Sequence, residues 1–198
     1  MKDMSLTKRQ YNKIIKQVRI IYLKTNDPFH NMDHALITAN LAADIAKKEK
    51  ADAEICRVAG LLHDIAPKKR GQPHGRQSAI LAKKLLRTII NDKRFINKVA
   101  AAIVNHDTRN SHLISAKEGK IIFEADKLQV IGPIGIFREF GDLLILGHGK
   151  RSATITIDFL KNYDHPFFTQ TGRKLKKELL NFNNNFVKYY DKYMRYNQ

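Results

Sequence analysis

Apolar residues recur at spacings of three and four along most of this chain, whereas alternating apolar and polar stretches are few and short. The first spacing is that of an amphipathic α-helix, and alternation is that of a half-buried β-strand. One example is the stripe of His34, Ile37, Leu41 and Ile45. The pattern predicts an all-α fold, a compact helical bundle that closes with a long C-terminal helix.

Capping and helix-breaking residues divide this pattern into separate helices. The first is predicted after Ser5 or Thr7 and ends near Thr25, and the third begins after Asp52 and ends near Pro67. The other helices are predicted at about 32–50, 77–90, 92–105, 116–130, 134–140, 153–161 and 171–193. Glycine, proline and three cations make 68–75 a loop, and 141–152 is either a buried loop or a short hairpin.

Length and composition are those of a soluble globular protein. A chain of 198 residues with 43% hydrophobic residues fits a single domain, 1–198. Cys56 is the only cysteine, so no intrachain disulfide is expected. The sequence shows neither the hydrophobic region of a signal peptide nor an apolar run that could span a membrane, so we expect a cytoplasmic protein without a membrane partner.

The charge balance is strongly basic, with 36 Lys and Arg against 19 Asp and Glu and a formal net charge of +17. Such a charge attracts polyanions. Because the lysines are scattered along the chain, a solvated basic surface is favoured over nucleic-acid binding. Aromatic residues are not interleaved with the basic runs as stacking platforms would require, so specific nucleic-acid binding is not expected.

Four predicted helices each bring an imidazole or a carboxylate to an apolar face. These residues are His34, the pair His63-Asp64, His106 and Asp126. A lone inward histidine is more often a hydrogen-bonded core residue than a ligand, but four cases together favour a metal site, since a divalent cation stabilises carboxylates and neutral imidazoles together. Mixed nitrogen and oxygen ligands suit Mn, Fe, Co, Ni or Zn better than calcium.

Three segments resemble the HD superfamily of metal-dependent phosphohydrolases. They are Phe29-His30-Asn31-Met32-Asp33-His34, Ala59-Gly60-Leu61-Leu62-His63-Asp64-Ile65-Ala66 and Phe123-Glu124-Ala125-Asp126-Lys127-Leu128. The resemblance implies an HD-domain helical bundle with a core of about 27–182. It also implies that His34, His63, Asp64 and Asp126 bind the metal.

The segment from Ala125 to Arg138 is similar to a bacterial branch of this superfamily that includes nucleotide pyrophosphohydrolases. The chain departs from that branch at Lys127, where the branch has arginine, and at Gln129, where it has an acid. It also has His30-Asn31 where the branch tends to have His-Asp. These departures affect the prediction of the substrate more than the prediction of a bound metal.

Further residues are candidates for a second metal or for binding phosphate. They are His74, His106, Asp107, Lys68, Arg76 and Arg138. A single metal ion is favoured, with two ions as the alternative. Asp107 either activates water or caps the following loop, and Lys69 matches a lysine that is typical of the bacterial branch.

The predicted reaction is attack of a metal-bound water on the phosphorus of a nucleotide or a similar small phosphorylated metabolite. Asp64 would orient or deprotonate the water, and His106 or Lys69 would stabilise charge or protonate the leaving group. The alternatives are a dinucleoside polyphosphate hydrolase with a two-metal site and a non-catalytic, basic nucleic-acid-binding or regulatory protein. A cyclic-dinucleotide phosphodiesterase is weaker, because no Gly-Tyr-Pro occurs. The sequence leaves a homo-oligomer open.

Overall fold

The computed structural model describes residues 6–24, 29–67 and 73–197. It divides into two compact units, Met1–Ala125 and Asp126–Gln198. The described residues contain no β-strand, so the predicted all-α fold is confirmed. None of the described helices combines the length and apolar character that a membrane span needs. The expectation of one domain over 1–198 stays a prediction.

The first unit contains five helices and most of a sixth. They are α1 (Lys8–Tyr22), α2 (Met32–Lys48), α3 (Ala53–Leu62), α4 (Gly75–Arg87), α5 (Lys93–Ile103) and α6 (Lys117–Lys127). Side chains of the preceding residues accept hydrogen bonds from the first turns of α1, α2, α3 and α5, as N-caps do. These caps are Thr7, Asn31, Asp52 and Asp92.

The contact between α2 and α3 is unusually close. Small residues line the buried side of α2, including Ala35, Ala39, Ala42 and Ala43. Gly60 of α3 packs on them so closely that a Cβ atom at this position would lie 2.6 Å from the Ala39 Cα atom. The two backbones can approach in this way only because residue 60 has no side chain.

The second unit begins in the last turn of α6 and contains α7 (Gly132–Ile145), α8 (Arg151–Lys161) and α9 (Gln170–Met194). Ile157, Leu160 and Val187 form a buried cluster between α8 and α9, against which Ile136 of α7 packs. The Asn183 side-chain oxygen accepts a hydrogen bond from the Gly132 backbone N–H at 2.8 Å, which ties α9 to the start of α7.

Two predicted boundaries are wrong. The third helix ends at Leu62 rather than near Pro67, and the residues between are a turn, as the restriction that proline places on its predecessor favours. The short helix predicted at 134–140 is instead α7, which continues to Ile145, so the patch at 143–146 is neither a buried loop nor a hairpin.

Proline and glycine explain the actual limits of α7. Pro133 lies in its first turn, where a missing N–H costs no hydrogen bond, so it begins the helix instead of interrupting it. Gly147 and Gly149 follow its last turn with φ of 82° and 54°, values in the left-handed region that commonly terminates a helix.

Candidate metal centre

His34, His63 and Asp64 form the first of two ligand triads in the first unit. Asn31 caps α2 and accepts a hydrogen bond from the His34 backbone N–H at 3.1 Å, which places His34 in the first turn. The close packing at Gly60 then brings the His34 and His63 Nε2 atoms to 3.2 Å from each other. Both Nε2 atoms face Asp64 Oδ2, at 3.6 and 3.5 Å.

Asp64, His74 and His106 form the second triad. The His74 Nε2 atom lies 2.5 Å from Asp64 Oδ1, and the His106 Nε2 atom lies 3.2 Å from the same oxygen. The two Nε2 atoms are 3.1 Å apart. Asp64 therefore turns one carboxylate oxygen toward each histidine pair.

His63 and His106 are held in the same way at the ends of two helices. Each lies just beyond its helix and donates Nδ1–H to the carbonyl three residues earlier, which is Gly60 for His63 and Ile103 for His106, both at 2.8 Å. In the neutral ring, the Nε2 atom then carries a lone pair. The C-terminal ends of α3 and α5 also bear partial negative charge, which favours a cation nearby.

His74 is oriented by Asp107. The His74 Nδ1 atom lies 2.8 Å from Asp107 Oδ1, and Asp107 Oδ2 accepts a hydrogen bond from the Gly75 backbone N–H at 2.8 Å. Burial raises the pKa of the Asp107 carboxyl. The hydrogen bond from His74 and the charges that His106 and His74 carry when protonated lower the pKa by more than burial raises it, so the pKa lies well below its usual range. An ionised Asp107 therefore holds the His74 ring with its Nε2 atom toward Asp64.

The donor set fits a divalent metal ion. Lone pairs of His63, His74 and His106 converge on the oxygens of a buried carboxylate, an arrangement that needs cations or protons between the donors. Around an ion about 2.1 Å from each donor, neighbouring donors lie about 3.0 to 3.4 Å apart. The nitrogen–nitrogen separations of 3.2 and 3.1 Å fall in that range, and each triad's ligand atoms lie within 4.8 Å of one another.

The sequence profile of the HD domain matches residues 31–131, just over half of the 198-residue chain. The chain belongs to the HD-domain family. The matched residues carry both triads as well as Asp126.

Similar proteins span nearly the same length as this HD-domain chain. YpgQ of Bacillus subtilis is 29% identical over 177 residues, which cover 82% of this chain and 83% of YpgQ. A crystal structure of a predicted HD superfamily hydrolase from an uncultured Thermotogales bacterium is 28% identical, with a TM-score of 0.66 and 90% coverage of both chains. A structure of YpgQ in complex with ADP has 23% identity and a TM-score of 0.70, covering 93% of this chain and 94% of that one.

The structure brings together six of the predicted site residues, all in the first unit. They are His34, His63, Asp64, His74, His106 and Asp107. Asp126 belongs to the second unit, where its Oδ2 atom lies 2.8 Å from Lys127 Nζ, so its role as a ligand stays a prediction.

The four predicted site residues that are cationic, two arginines and two lysines, have different outcomes. Arg76 is exposed on α4, and Arg138 of the second unit lies 3.4 Å from the Gln129 side-chain oxygen. Lys68 and Lys69 lie outside the described residues, so their predicted roles in phosphate binding and catalysis are untested.

Sequence reasoning missed two glycines that shape the site. Gly60 sets the approach of α2 and α3. A Cβ atom at Gly75 would lie 2.7 Å from Asp107 Oδ2 and 3.0 Å from His106 Nδ1. Their positions next to predicted ligands were the available signal: Gly60 precedes His63 by three residues, and Gly75 follows His74 directly.

Proposed function

We propose that this HD-domain protein is a metal-dependent phosphohydrolase with a two-ion centre, acting on a nucleotide or a similar small phosphorylated metabolite. The observation that carries the proposal is the position of Asp64 between two histidine pairs, with Oδ2 toward His34 and His63 and Oδ1 toward His74 and His106. Each histidine pair, together with the Asp64 oxygen that faces it, would hold one divalent cation.

The second triad supports two ions over the single ion that the sequence favours. If His74 and His106 bound only substrate phosphate, their Nε2 atoms would need to carry protons toward an anion. Instead, Nδ1 of His106 already faces a carbonyl oxygen and Nδ1 of His74 faces a carboxylate. In the neutral rings, these contacts leave Nε2 as a metal-ligand atom. We therefore assign His106 to the ligand set rather than to proton transfer.

Each residue then has a defined part in the reaction. A bound divalent cation would supply Lewis acidity, lowering the pKa of the attacking water and neutralising charge on the phosphoryl oxygens. Asp64 holds the two halves of the centre at a fixed spacing. Asp107 orients His74 and is a positioning residue, which replaces the two roles predicted for it, water activation and loop capping.

A nucleotide is the favoured substrate for two reasons. YpgQ, a relative over most of this chain, has been crystallised in complex with ADP. The net charge of +17 also favours a substrate with several negative charges. Hydrolysis of a nucleoside triphosphate to a monophosphate and pyrophosphate fits both observations.

A dinucleoside polyphosphate hydrolase is the second candidate, because this activity requires the two-ion arrangement that the second triad supports. The two candidates differ in their products. A pyrophosphohydrolase yields a nucleoside monophosphate and pyrophosphate, whereas the second activity cleaves a dinucleotide into two nucleotides.

The test is a product-resolved screen with Mn²⁺, in which purified protein is incubated with nucleoside triphosphates, diphosphates and dinucleoside polyphosphates. We expect turnover of at least one of these classes and its loss in Asp64→Asn. Folding of the variant is checked by circular dichroism. If the folded wild-type protein, loaded with Mn²⁺, turns over no phosphate ester or anhydride, the phosphohydrolase proposal is wrong and the non-catalytic alternative is favoured.

A further inference from the structure

Basic side chains are segregated within the first unit. Helix α1 carries five Lys and Arg residues, α4 carries four and α5 carries three, and none of these helices contains Asp or Glu. By contrast, α2, α3 and α6 each contain carboxylates. Among the described helices of the first unit, the excess of positive charge is therefore concentrated on α1, α4 and α5.

The clearest concentration is a shallow groove along α1, which we call the α1 groove. It is lined by Lys8, Arg9, Asn12, Lys13 and Lys16, all of which are exposed. The opposite side of the helix is buried. Positions three and four residues apart lie on one face of a helix, about 4.5 to 6 Å apart along its axis. Arg9, Lys13 and Lys16 have this spacing and form a row of cations along the groove, and Lys8 adds a fourth at its start.

A second polar groove adjoins the segment that contacts α1. The Gln10 side-chain nitrogen of α1 donates a hydrogen bond to the Ile89 carbonyl at 3.5 Å, in the connection between α4 and α5. Around this connection, Arg87, Asn91, Lys93 and Asn97 contribute to the second groove. Cations and amide donors thus continue from α1 to the junction of α4 and α5.

The cations of both grooves are not neutralised within the described part of the chain. No described carboxylate forms an ion pair with Lys8, Arg9, Lys13, Lys16, Arg87 or Lys93. Pairing with neighbouring acids, the usual way in which a protein balances a charged surface, does not occur among these residues.

We propose that this face binds the phosphate backbone of duplex nucleic acid without reading its sequence. A row of cations on one rigid helix matches a polymer with regularly repeated phosphates. The α1 groove contains no aromatic side chain on which unpaired bases could stack, which disfavours a single-strand site. None of the five residues that line the α1 groove is a large apolar side chain that could insert into a bilayer. Ile20, one turn beyond Lys16, is exposed, so the test below includes lipid vesicles.

This proposal is independent of the phosphohydrolase centre. The α1 groove shares no residue with either triad. Binding of the duplex would hold the protein at nucleic acid, whereas the triads would act on a small substrate. Either proposal can fail while the other stands.

The test compares two charge-reversal variants of the full chain. Lys13→Glu with Lys16→Glu changes the α1 groove, and Lys174→Glu with Lys177→Glu makes the same change in net charge on exposed positions of α9. The probe is a fluorescently labelled 20-base-pair DNA duplex, whose binding is followed by anisotropy over a range of salt concentrations. Circular dichroism and Mn²⁺-dependent hydrolysis serve as controls for folding.

We expect the wild-type protein to bind with a linear dependence of log K on log salt concentration. The α1 variant should bind about 10 to 100 times more weakly near 0.1 M salt, with a slope reduced by about two, because it loses two phosphate contacts. The α9 variant should retain most of the affinity and the wild-type slope.

Three results would overturn the proposal. One is equal weakening in both variants, which would mean that only net charge matters. Another is the absence of duplex binding by the wild-type protein at 0.05 to 0.1 M salt. At such low salt concentrations, phosphate contacts are stronger than at physiological salt. The third is binding to phosphatidylserine vesicles that duplex DNA does not compete away, which would assign the face to a membrane surface. If Lys13→Glu with Lys16→Glu does not fold, Lys13→Gln with Lys16→Gln replaces it, with an expected slope reduction of about two.

Discussion

The two triads share Asp64, and each contains one buried histidine at a helix end, His63 or His106, but they hold their other histidine by different means. His34 of the first triad is positioned by backbone packing, since Gly60 lets α2 and α3 meet closely. His74 of the second triad lies in the connection before α4, its side chain is 14% exposed, and a hydrogen bond to Asp107 orients it. The first triad is therefore wholly part of the core, whereas the second depends at His74 on a polar contact nearer to solvent.

This difference predicts how each triad responds to mutation. Changes in the first triad should affect folding and metal binding together, because the same contacts serve both. Changes at His74 or Asp107 should affect metal binding and activity with a smaller effect on folding.

The largest effect is expected for Asp64→Asn, which removes the charge shared by both triads and preserves the shape of the side chain. A metal ion contributes several kcal/mol to phosphoryl transfer, and each 1.4 kcal/mol is tenfold in rate. We expect kcat/KM to fall by at least about a thousandfold and bound Mn²⁺ to be lost from both triads. Retention of metal at wild-type stoichiometry would contradict the shared role of Asp64.

The next comparison is His63→Ala against His106→Ala, one histidine from each triad. If each triad holds an ion, elemental analysis of Mn²⁺-loaded protein should show the loss of one ion per chain in either variant. Activity should fall by about a hundredfold or more in both. If His106→Ala retains the wild-type metal content and raises only KM, the second triad binds phosphate and the centre holds a single ion.

A smaller effect is expected for Asp107→Asn, which keeps the size of the side chain but weakens its hold on His74. Outer residues that orient a metal ligand typically contribute a factor of about 10 to 100 in metal affinity. Titration calorimetry with Mn²⁺ should show this loss for one ion, with the affinity for the other unchanged. Equal weakening of both ions would mean that the triads are not separately supported.

The smallest effects are expected for alanine substitutions of the two glycines that shape the site. Gly60→Ala places a methyl group against the Ala39 backbone, so we expect the free energy of unfolding to fall by about 1 to 3 kcal/mol, seen as a lower melting temperature. Gly75→Ala meets the Asp107 carboxylate and the His106 ring, and also the Val104 carbonyl oxygen at 2.8 Å, which belongs to the backbone. It should therefore lower the melting temperature and also weaken the binding of one metal ion. Unchanged binding of both ions in Gly75→Ala would contradict the polar support of the second triad.

Helical spacing predicted the helices that lead to the first triad, but only His34 lies on one of them, since α3 ends at Leu62. The predicted core-facing stripe of α2 is partly wrong: His34 and Ile45 are buried, whereas Ile37 is exposed and Leu41 is only partly buried, because α2 buries its small residues instead. The start of that helix at Met32 is confirmed. The same reasoning could not reveal that Asp64 faces two histidine pairs, because the orientation of a carboxylate in the turn after α3 follows no period.

Other parts of the site were beyond sequence reasoning for related reasons. His74 lies outside any helix, so only the family resemblance indicated it. His106 lies beyond the end of α5 rather than on it, and its hydrogen bond to the Ile103 carbonyl directs its ring. The start of α7 was missed because Pro133 suits the first turn of a helix as well as a break, and its end was missed because Gly141, which favours a loop, lies within the helix.

If each triad holds an ion, as we propose, the shared carboxylate of Asp64 also links the occupancies of the two triads. If an ion in one triad changes the metal affinity of the other triad by some factor, an ion in the other triad must change the metal affinity of the first by the same factor. Electrostatic repulsion between the ions opposes double occupancy, and the charge of Asp64 offsets part of it. The ambient concentration of metal would then set the fraction of chains that carry a complete centre, so metal supply would act as a regulator of the enzyme.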